Sequence, residues 1–251
     1  MKKILINVFC LMLTLALLAG CASSQGQKPS APAADPTTEA TQASTTETTA
    51  DEIEATTHYI QNVYPKQIQR YHTAISQKWD ESTCLDNEMS SLVARYYEGK
   101  ALDNVGFAFM DLDGDGIWEL IIGAAQDPLI FEIWKVQNGE PVMLAQSGSH
   151  NRYYLQYAKE TDQWTVAYEA ENGAANHAVY QLQLVNGQFQ VIQGVVFDAL
   201  ANEKNPWFQT ADLDWNVAND KSIDEQTATK ITSEIRSSYA FTEYFPYSLY
   251  Q

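Results

Sequence analysis

From residue 105 to about residue 196 the chain repeats with a period of two. "QLQLV" and "QFQVIQ" alternate polar with apolar side chains, and aromatic or β-branched residues dominate "LIFEIWKV" and "RYYLQYA". Successive side chains of a strand face opposite sides of its sheet, so this alternation marks strands with one buried face. Asn138-Gly139 and Asn186-Gly187 fall where two-residue hairpin turns belong, because both residues tolerate the positive φ such turns require. Further breaks come at Gly148-Ser149, Thr161-Asp162 and "ENGAAN". The pattern predicts an antiparallel β-meander of about seven or eight strands.

Helical spacing brackets this region. "YPKQIQRYHTAISQKW" places Ile68, Tyr71, His72 and Ile75 on one face, with Pro65 suited to a first helical turn. "DNEMSSLVARYYEG" does the same with Met89, Leu92, Val93 and Tyr96, and Gly99 is its expected stop. "SIDEQTATKITSEIRSSYAF" opens with a capping box from Ser222 to Glu225 and sets Ile223, Ala228, Ile231 and Ile235 at helical spacing. The expected class is α+β, with two N-terminal helices and one C-terminal helix around the meander.

Before the domain come two segments of different composition. Residues 1–20 carry Lys2 and Lys3, the apolar run "ILINVFCLMLTLALL" and a small-residue end, which is the pattern of a secretory leader. Leu18-Ala19-Gly20-Cys21 resembles the lipobox of bacterial lipoproteins, and the resemblance implies cleavage before Cys21 and a diacylglyceryl group on its thiol. Acyl chains in pairs hold a protein stably on a membrane surface. Residues 21–57, rich in Thr, Ser, Pro and acids, have almost no large apolar side chain and cannot offset the entropy of ordering. They read as a tether with a root-mean-square reach of roughly 30 Å. Residues 58–251 then suffice for a single domain with its own core.

Charge narrows the partners. Without Lys2 and Lys3 the chain has 13 basic against 32 acidic residues, a net charge of −19. That balance argues against nucleic acid or anionic lipid as a ligand and suits an exported protein among divalent cations. With Cys10 in the leader and Cys21 at the anchor, Cys84 is left alone in "DESTCLDNE". The acids around it would raise the thiol pKa, so it reads as a small buried side chain and not a nucleophile.

One stretch concentrates acid and glycine between apolar runs: "FAFMDLDGDGIWELIIG", residues 107–123. Asp111, Asp113 and Asp115 hold the first, third and fifth places of a loop, Gly116 the sixth, the Ile117 carbonyl the seventh and Glu119 the ninth. Hard cations take oxygens at such alternate positions, and calcium accepts six to eight of them. Four carboxylates this close repel one another without a counter-ion. An EF-hand places a glutamate at the twelfth position and helices on both sides; here the twelfth is Ile122 and the flanks read as strands. The loop is instead similar to the calcium hairpins of FG-GAP and related repeats, a likeness that implies calcium ligation by Asp111, Asp113, Asp115, Glu119 and the Ile117 carbonyl. Only one copy is present, which argues against a propeller. Lacking a twelfth ligand, the affinity is expected to be weak, of the order of 10⁻⁴ to 10⁻³ M.

A wider likeness covers most of the domain. Helices, then "DLDGDGIWELIIG", hairpins such as "WKVQNGEPVMLAQ", "RYYL" and a late helix before "YFPYS" resemble surface lipoproteins of Gram-positive anaerobes that carry one D-x-D-G-D-G-x-x-E-L loop. The resemblance implies a surface location and a single calcium loop, and it brings no catalytic residues. "DLDWNVAND" departs from it, since Asp212 and Asp214 could form another cation site or an Asx-rich loop capping the helix.

Signs of an enzyme are sparse. His58, His72, His150 and His177 are scattered without zinc spacing, and "SGSH" at 147–150 lacks the G-x-S-x-G elbow. Glu169 and Glu171 would share a strand face about 7 Å apart, a possible pair for glycoside hydrolysis. No catalytic residue is assigned. Of the aromatic residues, Trp207, Phe208 and Trp215 in "NPWFQTADLDW" are the candidate surface for a glycan or peptide. The expected function is a lipid-anchored extracytoplasmic binding or scaffold module stabilised by calcium, with a calcium-stabilised hydrolase of envelope or dietary glycans as the alternative.

Overall fold

The computed structural model describes residues 50–158 and 163–250. The leader, Cys21, most of the tether and the Thr161-Asp162 break lie outside the described residues. Helix α1, Ala50–His58, begins inside the stretch read as tether, and Glu52 and Glu54 suit its N-terminal half. Residues Ala55–Tyr250 form one unit.

Helix α2, Pro65–Gln77, follows the sequence pattern: Pro65 opens it, Ile68, Tyr71, Ala74 and Ile75 are buried, and Lys78 closes it in the left-handed region. The second expected helix, over residues 86–99, does not form as an α-helix: that stretch carries a 3-10 turn, and the short α-helix that precedes it ends where the expected range begins. Helix α3 covers only Glu81–Asp86, capped by Asp80 accepting from the Thr83 amide at 2.7 Å, and a 3-10 turn spans Ser91–Tyr96. The chain reverses at Glu88, where φ is 55°. Ser90 meanwhile directs its amide to Glu132 and its hydroxyl to the Ser147 carbonyl. Met89, Leu92 and Val93 are buried nonetheless, so the apolar spacing served burial without requiring an α-helix. A short helix α4, Ala101–Asn104, leads into the sheet.

Among the described residues the sheet is antiparallel throughout and has 11 strands, against the expected seven or eight. Eight fill the period-two region: β1 Val105–Met110, β2 Glu119–Ala124, β3 Leu129–Gln137, β4 Glu140–Gln146, β5 Asn151–Ala158, β6 Gln163–Glu171, β7 Asn176–Val185 and β8 Gln188–Asp198. The surplus consists of β9 Trp207–Thr210, β10 Lys221–Ser222 and β11 Phe245–Pro246, which are too short to show an alternation. The order is β10-β9-β8-β7-β6-β5-β3-β2-β1-β11 with β4 hanging on β3. Both expected hairpin turns are present, with positive φ at Asn138 and Gly139 and at Asn186 and Gly187. The meander breaks once: β3 pairs β5 through Leu129 and Ile130, and β4 through residues 132–137.

Both helix-covered cores lie on one face of the sheet and meet at Tyr154, while clusters around Ile121 and around Tyr180 lie on the other. Helix α2 and the 3-10 turn pack Ile68, Tyr71 and Leu92 on Phe107, Leu120, Ile122 and Phe131. Helix α5, Glu225–Ser237, lays Ala228, Ile231 and Ile235 on Ala167, Val179 and Val195. Its cap is Asp224, which accepts from the Thr227 amide at 2.7 Å. Ser222 cannot serve as that cap because it pairs with Phe208 in β10.

Candidate metal centre

Strands β1 and β2 pair in register from Val105↔Ala124 to Met110↔Glu119, so residues 111–118 close a hairpin at the sheet end. Inside it the first aspartate organises the backbone. Asp111 Oδ1 accepts from the Gly114 and Asp115 amides at 2.8 and 3.1 Å, and its Oδ2 from the Gly116 amide at 3.0 Å. Asp115 Oδ1 accepts from the Ile117 amide at 2.7 Å. These bonds turn the loop inward and gather carboxylate oxygens of Asp111, Asp113 and Asp115 within 4.8 Å of one another. The Ile117 side chain faces solvent, 41% exposed, and the only oxygen this residue can offer is its backbone carbonyl.

Glu119 starts β2 and is almost wholly buried, 2% exposed. Its Oε2 accepts from the Leu112 amide at 2.9 Å. Burial pushes its pKa up to about 7, the Leu112 amide opposes the rise, and the charges of Asp113, Asp115 and Asp111 add to it. Asp113 Oδ2 accepts from the Gly187 amide at 2.9 Å, while its Oδ1 is buried without a partner. An orphaned carboxylate oxygen among three further carboxyl groups fits a hard cation, which would replace mutual repulsion by coordination. The Asp111, Asp113 and Asp115 cluster could therefore hold a metal ion.

The supports of the hairpin were not legible in the sequence. The Tyr59 hydroxyl accepts from the Trp118 amide at 3.0 Å, and the Tyr64 hydroxyl donates to the Trp118 carbonyl at 3.0 Å. Tyr59, Tyr64, Phe109 and Trp118 form an aromatic stack with centroid spacings of 5.4 to 6.1 Å. From the far side, Lys135 Nζ donates to the Gly187 carbonyl at 2.5 Å and holds the turn whose amide reaches Asp113. Only the aromatic residues and the Asn-Gly pair themselves stood in the sequence as a signal.

The other candidates are dispersed. Trp207 and Phe208 are neighbours on β9 and face opposite sides of the sheet: Trp207 meets His177 and Phe197 at 5.8 and 4.7 Å, beside the α5 core, and Phe208 is buried with Tyr180 and Val217. Trp215 lies on the Phe208 side. The three therefore do not form one exposed patch. Glu169 receives Arg236 Nε at 2.7 Å and the Tyr239 hydroxyl at 2.6 Å. Burial works to raise its pKa, but these bonds outweigh it and hold the carboxyl below the ordinary range, which is the wrong state for a general acid. Glu171 sits 3.8 Å from His150. Ser147 Oγ donates to the Ile130 carbonyl and accepts from the Tyr153 amide, which commits it to the backbone. Cys84 is fully buried, and burial raises its thiol. Asp212 Oδ1 accepts from the Asp214 amide at 3.3 Å.

No protein-family model, curated protein or solved structure matches the chain.

Proposed function

We propose that this protein is a lipid-anchored extracytoplasmic binding or scaffold module whose domain is held together by a structural calcium ion. The observation that carries the calcium reading is Asp113 Oδ1, buried and unpartnered among carboxylates that approach within 4.8 Å. Asp111, Asp113, Asp115, Glu119 and the Ile117 carbonyl would supply the oxygens, a set of several carboxylates and a carbonyl that suits calcium better than the smaller magnesium, which keeps several of its waters. The ion's role is structural: it would pin the β1–β2 hairpin, and through Asp113 the β7–β8 turn, against repulsion. An ion enclosed by these ligands keeps little coordination for a substrate. The lipid anchor at Cys21 and the surface location rest on the lipobox resemblance. A glycan or peptide remains the proposed ligand class, but Trp207 and Trp215 lie on opposite sides of the sheet and do not form a shared surface for it. A hydrolase has less support, because Glu169 is committed to Arg236 and Tyr239.

The test is thermal unfolding of the full chain with and without calcium. At a hundredfold excess over its dissociation constant the ion should contribute about 2.7 kcal/mol, a rise of ~5–10 °C in Tm. Asp113→Ala together with Asp115→Ala should abolish the rise. An unchanged melting curve in the parent would refute the calcium reading.

A further inference from the structure

A second loop repeats the ligand spacing of the first. Strands β9 and β10 are antiparallel, with Gln209 opposite Lys221 and Phe208 opposite Ser222. The connection between them offers Asp212, Asp214, Asn216, the Ala218 carbonyl and Asp220 at the first, third, fifth, seventh and ninth places of a nine-residue frame. "DLDWNVAND" and "DLDGDGIWE" thus place oxygen at the same five positions, each frame closing a hairpin. Asp214 Oδ1 accepts from the Asn216 amide at 2.7 Å, and Asn216 Oδ1 from the Ala218 amide at 3.2 Å. By themselves such acids and Asx turns describe only a solvated loop.

Tyr180 supplies the independent indication of a ligand. Its side chain is 0% exposed, and its hydroxyl has no hydrogen-bond partner. On β7 it stands opposite Gly194 of β8, which stands opposite Thr210 of β9. A Cβ on Gly194 would lie 2.6 Å from Tyr180 Cδ1 and 3.0 Å from Thr210 Cγ2. The absent side chain therefore lets the phenol ring lie across β8 towards Thr210, at the mouth of the acidic loop. After burial and Tyr168, the groups acting on that phenol are Asp220, Asp212 and Asp214, so all three carboxyls lie within its electrostatic reach. The Tyr180 hydroxyl is thus a buried donor without a partner beside the loop, where a native fold normally satisfies such a group. The carboxyl of Asp220, within the loop, is reached by the Thr210 side chain but keeps Oδ2 buried without a partner.

We propose that residues 212–220 form a second divalent-cation site, with oxygens from Asp212, Asp214, Asn216, Asp220 and the Ala218 carbonyl and with the Tyr180 hydroxyl hydrogen-bonded to its coordination shell. Three carboxylates and two neutral oxygens suit calcium. Among the described residues only Asp111, Asp113 and Asp115 bring three such ligand atoms within 4.8 Å, so the second site is less preformed and the ion would draw its loop together. Val217, with Trp215 beside it, already packs with Tyr180 and Phe208, so the ion would gather the carboxylates of a loop whose apolar residues hold it on that sheet face. The site is independent of the one at 111–119.

Equilibrium dialysis of the full chain against calcium tests it, using Asp111→Asn with Asp113→Asn, Asp212→Asn with Asp214→Asn, and all four together. Two ions in the parent, one in each pair and none in the combination are expected. One ion that only the Asp111 and Asp113 pair removes overturns this proposal and leaves the first site standing; one ion that only the Asp212 and Asp214 pair removes does the reverse. No bound ion overturns both. Tyr180→Phe should keep the stoichiometry and weaken the second ion at least tenfold, as loss of an outer-shell partner does; unchanged affinity would remove Tyr180 from the site. Should the Asp212 and Asp214 pair fail to fold, limited proteolysis of the Asp111 and Asp113 pair decides: calcium must protect residues 211–220, and cleavage there unaffected by calcium overturns the proposal.

Discussion

The Gly187 amide donates to Asp113 Oδ2 at 2.9 Å, joining positions 74 residues apart. That bond ties the acidic β1–β2 hairpin to the β7–β8 turn, so two turns that each look local depend on one another. It also fixes which oxygen of Asp113 remains for a cation.

Gly187→Ala should therefore affect two properties at once. Its φ is 70°, and an added Cβ would meet the Lys135 side chain. The backbone strain alone is about 1–2 kcal/mol, and displacing the turn withdraws the amide from Asp113. Urea unfolding should show the stability loss, and calorimetric titration should show weaker calcium binding. A stability loss with calcium affinity intact would mean that the Gly187 bond does not position Asp113.

Glu132 is the most committed acid in the helix-side core. Its buried carboxyl group receives Arg70 Nη2 at 2.9 Å, Trp134 Nε1 at 2.7 Å, Gln146 Nε2 at 3.2 Å and the Ser90 amide at 3.3 Å. It thereby links α2, the 87–90 reversal, β3 and β4. Glu132→Ala leaves the Arg70 guanidinium uncompensated and strands several donors, a loss of about 3–5 kcal/mol. Chemical denaturation of the variant measures it, and a loss under 1 kcal/mol would show that the network contributes little.

Acid stability should carry the mark of Glu169. Its carboxyl is held below the ordinary range: burial opposes ionisation, and the bonds from Arg236 and Tyr239 overcome it. A depressed folded pKa gives stability that is fully present above the unfolded value of about 4.3 and is lost as pH falls through the folded one. Glu169→Gln should lower Tm at neutral pH and flatten its decline below about pH 4.3. Parallel acid limbs in parent and variant would count against this.

Anchoring is testable in cells that process lipoproteins. Palmitate should label the parent and leave Cys21→Ala unlabelled, and the variant should leave the membrane fraction, since a tether without acyl chains has no apolar hold. Equal labelling of both would exclude Cys21 as the modified thiol.

Local chemistry determined much of this protein. The period-two alternation, both Asn-Gly turns, α2 with its Pro65 start and the inward loop of Asp111 to Glu119 were all legible, because each depends on neighbours within a few residues. The capping box at Ser222 was misread because Ser222 pairs with Phe208, and the helix expected after Asp86 was broken because Ser90 spends its polar groups on Glu132 and Ser147. Tertiary structure alone decided the pairs distant in the chain: Gly187 with Asp113, Tyr59 and Tyr64 with Trp118, Arg70 with Glu132, and Tyr180 lying across Gly194 towards Thr210. It also set Trp207 and Phe208 on opposite faces, since a strand separates side chains that the sequence places together. Periodicity fixes which face of an element is apolar, but not which other element will cover it; that choice is made when burial and buried hydrogen bonds are satisfied together, and only the assembled sheet does so.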